Sequence, residues 1–383
     1  MKKIQDNILC WCGNPEQGAI DQAINISKHP CLVGNVCLMP DTHEGYGMPI
    51  GGVVALDNAI CPNMVGVDIG CGMLAVRTYL TEISTEQLKK IMSLIRQKVP
   101  LGFNHHKEAQ KHDVFDNPLW DVTTICKQEK QSAIRQVGTL GGGNHFIEIQ
   151  RGNDGYIWFM IHSGSRNLGK KVADYYNKIA VEQCKFWRQN YVVEKEIAFL
   201  PMGSEYFGKY LNEMNLCLAF SYANRDLMAK RIKESFEEVV DYVVFDEHIN
   251  IQHNYAALEN HYGKNVWVHR KGATLAREGT IGIIPGSQGT KSYIVKGKGK
   301  EASLCSCSHG AGRKMSRKFA RENLNLDEEK RLLDEKGIIH AIRNVEDLDE
   351  AASAYKDIDV VMEEQKDLVD ILVELTPLAV IKG

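Results

Sequence analysis

Long apolar runs are missing from this chain of 383 residues. No stretch approaches the roughly 18 to 20 consecutive apolar residues that a membrane-spanning helix needs. The first residues, "MKKIQDNILCWCGN", contain an apolar segment too short for a secretory signal peptide. Hydrophobic residues make up 44% of the chain and charged residues 25%, which is typical of folded soluble proteins. We therefore expect a globular protein of the cytoplasm that makes no membrane contact.

Cysteine pairs with the spacing of zinc or redox motifs are also missing. The chain has 11 cysteines, an odd number. Its two close pairs, Cys10 with Cys12 and Cys305 with Cys307, lack the two-residue spacer of those motifs. We therefore expect most of the cysteines to be small buried thiols.

An excess of positive charge is missing too, because the formal net charge of −3 gives no overall attraction to nucleic acid. The segment from 291 to 318 is an exception, since its basic side chains face a single acid, Glu301. These basic residues are Lys291, Lys296, Lys298, Lys300, Arg313, Lys314, Arg317 and Lys318. Such a segment either binds phosphates or forms a solvated charged face, and the sequence leaves both interpretations open.

The order of predicted elements indicates the fold class. Apolar runs between turn residues predict strands at 33–40, 50–56, 73–80, 145–149, 156–161, 266–269, 280–284, 292–295 and 377–381. Helices are predicted from the N-cap signature of Ser84 with Gln87, over 205–240, and over most of 313–374. Strands and helices do not alternate strictly, and no strand leads into a Rossmann or P-loop glycine motif. We predict an α+β fold, a single large compact domain over residues 1–383 with mixed β-sheets flanked by helices.

Five short segments place a metal-binding or nucleophilic side chain in a loop at a strand end, mostly among glycines. They are "GVDIGCGM" with Asp68 and Cys71, "LGGGNHFIE" with Asn144, His145 and Glu148, "IHSGSRNLG" with His162 and Arg166, "EHINIQHNY" with His248 and His253, and "SHGAGRK" with His309. Carboxylate, thiolate and imidazole groups of this kind could bind two divalent cations, particularly if the Cys71 sulfur bridges them. Zinc, manganese, cobalt and iron(II) all accept such ligands, whereas the thiol disfavours a magnesium or calcium site.

A turn rich in glycine and serine, "IIPGSQGTKSYIV" at 283–295, is a candidate nucleotide site. Its amides and hydroxyls could bind a base or a phosphate, and Lys291 lies in the same turn. The same pattern is common in simple connections between strands, so by itself it is weak.

Nine motifs together resemble the RtcB family of RNA-splicing ligases, the enzymes that join RNA ends using GTP. They are "MPDTHEGYGMPIGG", "GVDIGCGM", "GGGNHFIE", "HSGSRNLG", "HNYA", "VHRKGAT", "IPGSQGTKSY", "SHGAGR" and the final "KG". The motifs follow the family order from about residue 35 to 316 and resume at the C-terminus.

The resemblance implies a role for particular residues. It implies two manganese ions bound by Asp68, Cys71, His145, His162 and His253, with Cys71 touching both, and a covalent guanylate on His309. It implies guanylate contacts from Asn144, His145, Phe146, Ile147, Glu148, His253, Asn254, Pro285, Gly286, Ser287, Gln288, Ser292, His309, Gly310, Ala311, Gly312 and Lys382. Arg166 matches a position associated with the RNA phosphate.

The resemblance also implies the reaction and its partners. Guanylate would pass from His309 to an RNA 3′-phosphate, opened first if it is a 2′,3′-cyclic phosphate, and a 5′-hydroxyl RNA would then displace GMP. An archease-type activator is a further partner that the resemblance suggests. Gln288 replaces the methionine of many relatives, and Asn167 and Leu168 also depart from the family pattern. These departures leave tRNA splicing and repair of cleaved tRNA or ribosomal RNA both open.

Two other functions compete with this interpretation. A dinuclear metallophosphoesterase or nuclease acting on RNA would use the same metal ligands and would not need His309. A non-catalytic RNA-binding protein is the third candidate. We interpret His43, His105, His106 and His269 as hydrogen-bonded loop histidines, and for His43 and His105 a role in supporting the metal ligands or contacting RNA is the alternative. We expect His29, His112, His261 and His340 on the surface.

Overall fold

The computed structural model describes residues 1–246, 248–340 and 342–383. Helices combine with mixed sheets, which confirms the predicted α+β class. Among the described residues, every helix is too short or too polar to cross a membrane.

The helices, in chain order, are α1 (Gln17–Ile26), α2 (Pro62–Val65), α3 (Thr85–Lys98), α4 (Leu119–Val122), α5 (Ile125–Gln136), α6 (Arg166–Phe186), α7 (Asn190–Glu194), α8 (Glu205–Glu237), α9 (Arg317–Asn323), α10 (Leu326–Glu335) and α11 (Ile358–Glu364). The strands are β1 (Lys2–Gln5), β2 (Ile8–Cys10), β3 (Leu32–Tyr46), β4 (Met48–Leu56), β5 (Ala59–Ile60), β6 (Gly72–Arg77), β7 (Phe146–Gly152), β8 (Ile157–Ser163), β9 (Leu200–Pro201), β10 (Ile249–Gln252), β11 (Asn254–His261), β12 (Lys264–Lys271), β13 (Ala273–Leu275), β14 (Ile281–Ile284), β15 (Ser292–Gly297), β16 (Ser306–Ser308) and β17 (Val369–Lys382).

Two large sheets carry the candidate site between them. The first has the strand order β1-β2-β3-β4-β12-β11, and the second has the order β10-β6-β8-β7-β17-β15-β14. Strand β10 belongs to the second sheet and ends at Gln252, whereas β11 belongs to the first sheet and begins at Asn254. The chain therefore crosses from one sheet to the other at His253.

The predicted helix at Ser84 forms as its sequence indicates. The Ser84 side chain accepts a hydrogen bond from the Gln87 amide, and the Gln87 side chain accepts one from the Ser84 amide. This capping box satisfies two amides that would otherwise have no partner at the start of α3. Leu88, Ile91, Met92 and Ile95 recur at helical spacing and are buried against the second sheet.

The C-terminal segment from residue 313 onward differs most from the structure predicted for it. The prediction of a mostly helical segment over 313–374 is wrong in part, because its helices are α9, α10, α11 and two short 3-10 helices (Val345–Glu350 and Ala352–Ala354), with loops between them, and β17 already begins at Val369. Strand β17 pairs with β7 on one side and β15 on the other. Its first half exposes Asp370, Ile371 and Leu372 at one end of the sheet, so the burial pattern that marks a strand appears only from Leu375 onward.

Most of the cysteines are buried, as their spacing in the sequence led us to expect. Nine of them are buried and two, Cys31 and Cys305, are partly buried. This confirms the expectation of small buried thiols for most of the set.

Candidate active site and metal centre

Strand register brings distant metal-binding side chains to one edge of the second sheet. Cys71 directly precedes β6, His145 directly precedes β7, and His162 is the next-to-last residue of β8. Gly72 pairs with Ser163 and with Gln252, and Phe146 pairs with His162. Because β10, β6, β8 and β7 are neighbours in that order, the ends that carry these residues meet at one place.

The five predicted metal ligands lie in contact with one another. The Cys71 sulfur is 3.2 Å from Nε2 of His162 and 3.6 Å from Nε2 of His145. The carboxylate of Asp68 is 3.1 Å from Nε2 of His145. Nε2 of His162 is 3.4 Å from Nε2 of His253. Gly164 leaves room for the Asp68 carboxylate, since a Cβ at this position would clash with it.

These residues fit a pair of cations that share one thiolate. Cys71, His162 and His253 form one group and Asp68, Cys71 and His145 form another, and the ligand atoms of each group lie within 4.8 Å of one another. His145 and His162 each place Nδ1 3.0 Å from a carbonyl oxygen, that of Leu140 and that of Asn144, which leaves Nε2 for a cation. Among the described residues, the buried Nδ1 of His253 has no hydrogen-bond partner, as expected of a nitrogen that binds a cation.

The protonation of these side chains follows from their burial. Burial and the neighbouring imidazoles lower the pKa of His162 and of His253 well below the usual value, so both rings are neutral and able to act as ligands. Burial and the Asp68 carboxylate raise the pKa of the Cys71 thiol. A cation that binds the sulfur must therefore displace its proton.

His248, from the same sequence segment as His253, lies apart from this group. Its Nε2 is 3.2 Å from the Asp226 carboxylate, and about two fifths of its side chain is exposed.

His309 lies next to the metal ligands and is oriented by Asp41. The His309 ring is 4.8 Å from that of His253, centroid to centroid. Its Nδ1 donates to the Asp41 carboxylate at 2.6 Å, and the same carboxylate oxygen accepts from the amides of His309 and Gly310. Burial alone would raise the pKa of Asp41, but the adjacent His309 imidazole keeps it below the usual value. An ionised Asp41 that accepts from Nδ1–H leaves the lone pair of Nε2 free.

Asp41 is a candidate functional residue that was not predicted from the sequence. It lies in the quoted motif "MPDTHEGYGMPIGG" and is fully buried, yet the sequence analysis gave it no role. The available signal was its place directly after the predicted strand at 33–40, in a glycine-containing loop like those of the predicted metal ligands.

A cavity of about 670 Å³ opens beside His309. The predicted guanylate contacts that line it are Asn144, Phe146, Glu148, Pro285, Gly286, Ser287, Gln288, His309, Gly310, Ala311, Gly312 and Lys382. The metal ligand His162 also lines it, as do residues that were given no nucleotide role, among them Glu16, His43, Tyr46, Arg313, Arg317, Glu350 and Tyr355. Its size is typical of cavities that bind nucleotides and other small ligands.

The remaining predicted contacts lie outside the lining of this cavity. Ile147 is fully buried in the hydrophobic core. The Ser292 hydroxyl accepts from the Gly286 amide at 3.1 Å and so stabilises the turn that lines the cavity. Asn254 donates to the carbonyl of Asp68 and accepts from the amide of Gly272. His145 and His253 belong to the metal ligands.

Arg166 and the basic segment are placed differently from one another. Arg166 donates to the carbonyl of Gly102 at 2.9 Å and to the Thr139 hydroxyl, close to the metal ligands. Lys291, Lys298 and Lys300 form ion pairs with Glu374, Asp370 and Asp367 at or near β17, which favours the solvated-face interpretation for that half of the segment. Arg313 and Arg317 instead form ion pairs with Glu350 at the cavity wall.

Glu148 and Lys382 give the cavity a buried acid and a partly buried base. Burial raises the pKa of Glu148 to about 8, and burial lowers that of Lys382. The Lys382 amine is 4.0 Å from the Glu350 carboxylate and 5.4 Å from the centre of the Phe146 ring. One wall therefore presents both a hydrogen-bond acceptor and a donor to a bound ligand.

The other histidines are divided between interior and surface. The expectation that His29 is exposed is wrong, because only 4% of it is exposed and its Nε2 lies 3.2 Å from the carbonyl of Ile197. His269 lies within β12 and not in a loop, and it accepts from the Cys61 amide. His43 lines the cavity, His105 is exposed, and His106 contacts Arg231.

Comparison with known proteins identifies the family. The family described as tRNA-splicing ligase RtcB matches residues 22–122 and 111–383. The RNA-splicing ligase RtcB of Escherichia coli K12 is 36% identical over 96% of this chain and 95% of its own length. The tRNA-splicing ligase RtcB of Nanoarchaeum equitans is 33% identical over 96% and 92%, and that of Thermococcus kodakarensis 31% over 95% and 91%. With matches that span nearly the whole chain, this protein belongs to the RtcB family.

Proposed function

We propose that this protein is a GTP-dependent RNA ligase that joins a 3′-phosphate or 2′,3′-cyclic phosphate RNA end to a 5′-hydroxyl end. Family membership supports the RNA ligase activity. The observation that carries the mechanism is the position of His309, which lies at the cavity wall with Nδ1 bound to Asp41 and its ring next to that of His253. A nuclease that uses the same ligands would need no such ring.

The first step is covalent attachment of guanylate to His309. Nε2 attacks the α-phosphorus of GTP, an N–P bond forms, the bond from that phosphorus to the β-phosphate oxygen breaks, and pyrophosphate leaves. The imidazole gains positive charge as the bond forms, and the Asp41 carboxylate stabilises that charge through Nδ1–H. Gly272 allows the ring to lie where it does, since a Cβ there would be 3.0 Å from the Cε1 atom of His309.

The next steps transfer guanylate and join the strands. An oxygen of the RNA 3′-phosphate attacks the guanylate phosphorus, and the N–P bond breaks, which restores His309. The 5′-hydroxyl of the second RNA then attacks the 3′-phosphate, a new phosphodiester forms, and GMP leaves. A 2′,3′-cyclic phosphate is first opened by water to the 3′-phosphate. Arg166, beside the metal ligands, is the residue that we assign to the RNA phosphate.

Asp68, Cys71, His145, His162 and His253 are the residues that would hold two manganese ions. When bound there, the ions supply Lewis-acid neutralisation of phosphate charge and a source of hydroxide. The thiolate and imidazole ligands fit manganese, zinc, cobalt or iron(II) better than magnesium.

Guanine fits the acid and base that face the cavity. Its Watson–Crick edge has two N–H donors and one carbonyl acceptor, so it matches the Glu148 carboxylate and the Lys382 amine. Adenine presents an acceptor where guanine has N1–H. A bound adenine would therefore leave an oxygen of the buried Glu148 carboxylate without a hydrogen-bond donor. We therefore assign guanine selection to these two residues.

Above pH 8, where the carboxylate is ionised, replacing Glu148 by glutamine is expected to weaken GMP binding by about 3 kcal/mol, roughly 100-fold, because one acceptor oxygen becomes an N–H donor that faces a guanine N–H. GMP is the appropriate probe because it has no pyrophosphate to lose and cannot form the adduct. Isothermal titration calorimetry measures the change. Glu16, an exposed carboxylate that lines the same cavity, provides the matched control, and Glu16→Gln is expected to bind GMP as the wild type does.

The wild type should also bind GMP more tightly as the pH rises. With a pKa of about 8, Glu148 is mostly protonated at pH 7, and only the ionised form accepts both guanine donors. Affinity should therefore increase roughly fivefold between pH 7 and pH 8, following the ionised fraction, and Glu148→Gln should remove this increase. A pH-independent GMP affinity in the wild type would contradict the role of Glu148 in binding guanine. Equal GMP affinity of the wild type and Glu148→Gln at pH 8 would contradict it as well.

The proposed function is tested by incubating a 3′-phosphate RNA with a 5′-hydroxyl RNA in the presence of Mn²⁺, with and without GTP. We expect a joined product only with GTP, with the original 3′-phosphate at the junction. Shortened RNA without joining would instead identify the nuclease, and RNA that is bound but unchanged would identify a binding protein. Adding an archease-type activator to the same assay tests whether it raises turnover.

A further inference from the structure

Helix α8 directs three fully buried polar side chains at the loops that carry the metal ligands. Ser221, Asn224 and Arg225 have no exposed surface, and we call them the polar strip. They lie within one turn of the helix, so they occupy neighbouring positions on its buried side. None of them belongs to the ligand set or lines the cavity beside His309.

Asn224 connects two of the ligand loops. Its Oδ1 accepts from the amides of Gly138 and Thr139 at 2.7 and 3.0 Å. Its Nδ2 contacts the carbonyls of Thr139 and Gly164 and the Ser163 hydroxyl, all at 3.1 to 3.2 Å. Asn224 therefore fixes the chain just before His145 to the chain just after His162.

The Ser163 hydroxyl extends this network to a metal ligand. It donates to the carbonyl of Leu140 at 2.7 Å, and the same carbonyl lies 3.0 Å from Nδ1 of His145. A continuous path of hydrogen bonds thus runs from Asn224 through Ser163 and Leu140 to the His145 ring, and it sets the orientation of that ring.

Arg225 and Ser221 hold the other two ligand segments. Nη1 of Arg225 donates to the carbonyls of Gly70 and Ser163, which adjoin Cys71 and His162. The Ser221 hydroxyl accepts from Nε2 of Gln252, the residue before His253, at 2.9 Å. Gly70 packs on the same hydroxyl, since a Cβ at Gly70 would lie 2.6 Å from it.

We infer that the polar strip positions four ligands, Cys71, His145, His162 and His253, at the spacing that two cations require; this inference rests on the proposed metal centre. The four ligands come from separate strand ends, and no single strand fixes the distances among them. A helix of 33 residues, packed in the core, is the common element that contacts all four segments. Ser221, Asn224 and Arg225 are thus positioning residues, which act on the ligands without touching the cations.

Glu213 offers a matched control on the same helix. Its buried carboxylate accepts from the amides of Thr124, Ile125 and Cys126 and from the Tyr176 hydroxyl. These groups belong to the start of α5 and to α6, away from the ligand loops. Glu213→Gln should therefore destabilise the fold, as the loss of any buried hydrogen-bonded network does, while it leaves the metal ligands in place.

The test is titration of the full-length, metal-free chain with Co²⁺, which absorbs strongly when a thiolate such as that of Cys71 is a ligand. In Asn224→Ala we expect Co²⁺ affinity to fall about 10- to 100-fold, the usual effect of removing a group that orients a ligand, together with a changed absorption spectrum. Glu213→Gln should keep wild-type Co²⁺ affinity and spectrum, even if its melting temperature falls by as much as that of Asn224→Ala. Should Asn224→Ala fail to fold, Ser163→Ala interrupts the same path to His145 with a smaller change in volume.

Two results would overturn the inference while the metal centre stands. One is wild-type Co²⁺ affinity and spectrum in the Asn224→Ala or Ser163→Ala chain. The other is an equal loss of affinity in Glu213→Gln, which would show that general stability, and not positioning, controls binding. A wild-type chain that binds no Co²⁺ would overturn the metal centre itself, and the positioning role with it.

Discussion

Replacing His309 by alanine is expected to abolish covalent attachment of guanylate to the protein and, with it, RNA joining. His309 lines the cavity, lies next to the ring of the proposed metal ligand His253, and uses only Nδ1 in its hydrogen bond to Asp41. The measurement is incubation with α-labelled GTP and Mn²⁺, followed by denaturing electrophoresis. The label should be present in the wild type and undetectable in His309→Ala.

The control for this experiment is His105→Ala, which removes an exposed loop histidine and should be labelled as the wild type is. His309→Ala should still bind two cations, because His309 is not among the proposed ligands. A label that survives in His309→Ala would assign the nucleophile to another residue. RNA cleavage by the wild type without any label would favour the nuclease.

Replacing Asp41 by asparagine is expected to slow guanylate attachment about 10³- to 10⁴-fold, as the equivalent change does at buried Asp–His pairs of hydrolases. An asparagine lacks the negative charge that favours the Nδ1–H tautomer, and where its amide nitrogen faces the ring it donates to Nδ1, which moves the ring proton to Nε2 and removes the attacking lone pair. It also removes the negative charge that stabilises the ring as the N–P bond forms. The substitution changes few atoms, so the fold should be retained.

Single-turnover labelling measures this effect, with protein in excess over labelled GTP. GMP affinity should stay within a few fold of the wild type, because Asp41 does not line the cavity. A large loss of rate with unchanged GMP binding would identify Asp41 as a residue that orients His309. A labelling rate within tenfold of the wild type would contradict that role.

Several features of the fold and site could be predicted from local sequence. The Ser84 capping box and the buried face of α3 are properties of residues close together in the chain, and they form as predicted. The proposed metal ligands belong to short motifs at strand ends that marked them as candidates, and the resemblance to the RtcB family selected these five among them. The structure then brings all five together.

Other features depend on contacts between distant segments and could not be predicted from local sequence. Asp41 and His309 are 268 residues apart, so neither local pattern reveals their hydrogen bond. The polar strip on α8 likewise depends on contacts with segments that are distant in sequence. Within a helical pattern, Ser221, Asn224 and Arg225 look like a solvated face, and they are buried only because three loops supply their partners.

The first half of strand β17 and His29 were also predicted incorrectly from local sequence. Exposed side chains in the first half of β17 hide its strand character, which comes from pairing with β7 and β15. His29 is buried because its ring packs on Phe199, 5.0 Å away between ring centroids. Both outcomes depend on neighbours that are remote in sequence.

The most direct test of the proposed mechanism is to identify the amino acid that carries guanylate in the wild-type chain. Peptide mass spectrometry after incubation with GTP and Mn²⁺ gives this answer. The mechanism predicts GMP on His309, as an N–P bond that is broken by acid and resists alkali. GMP on a lysine such as Lys382, or RNA joining by a chain that never carries GMP, would contradict it.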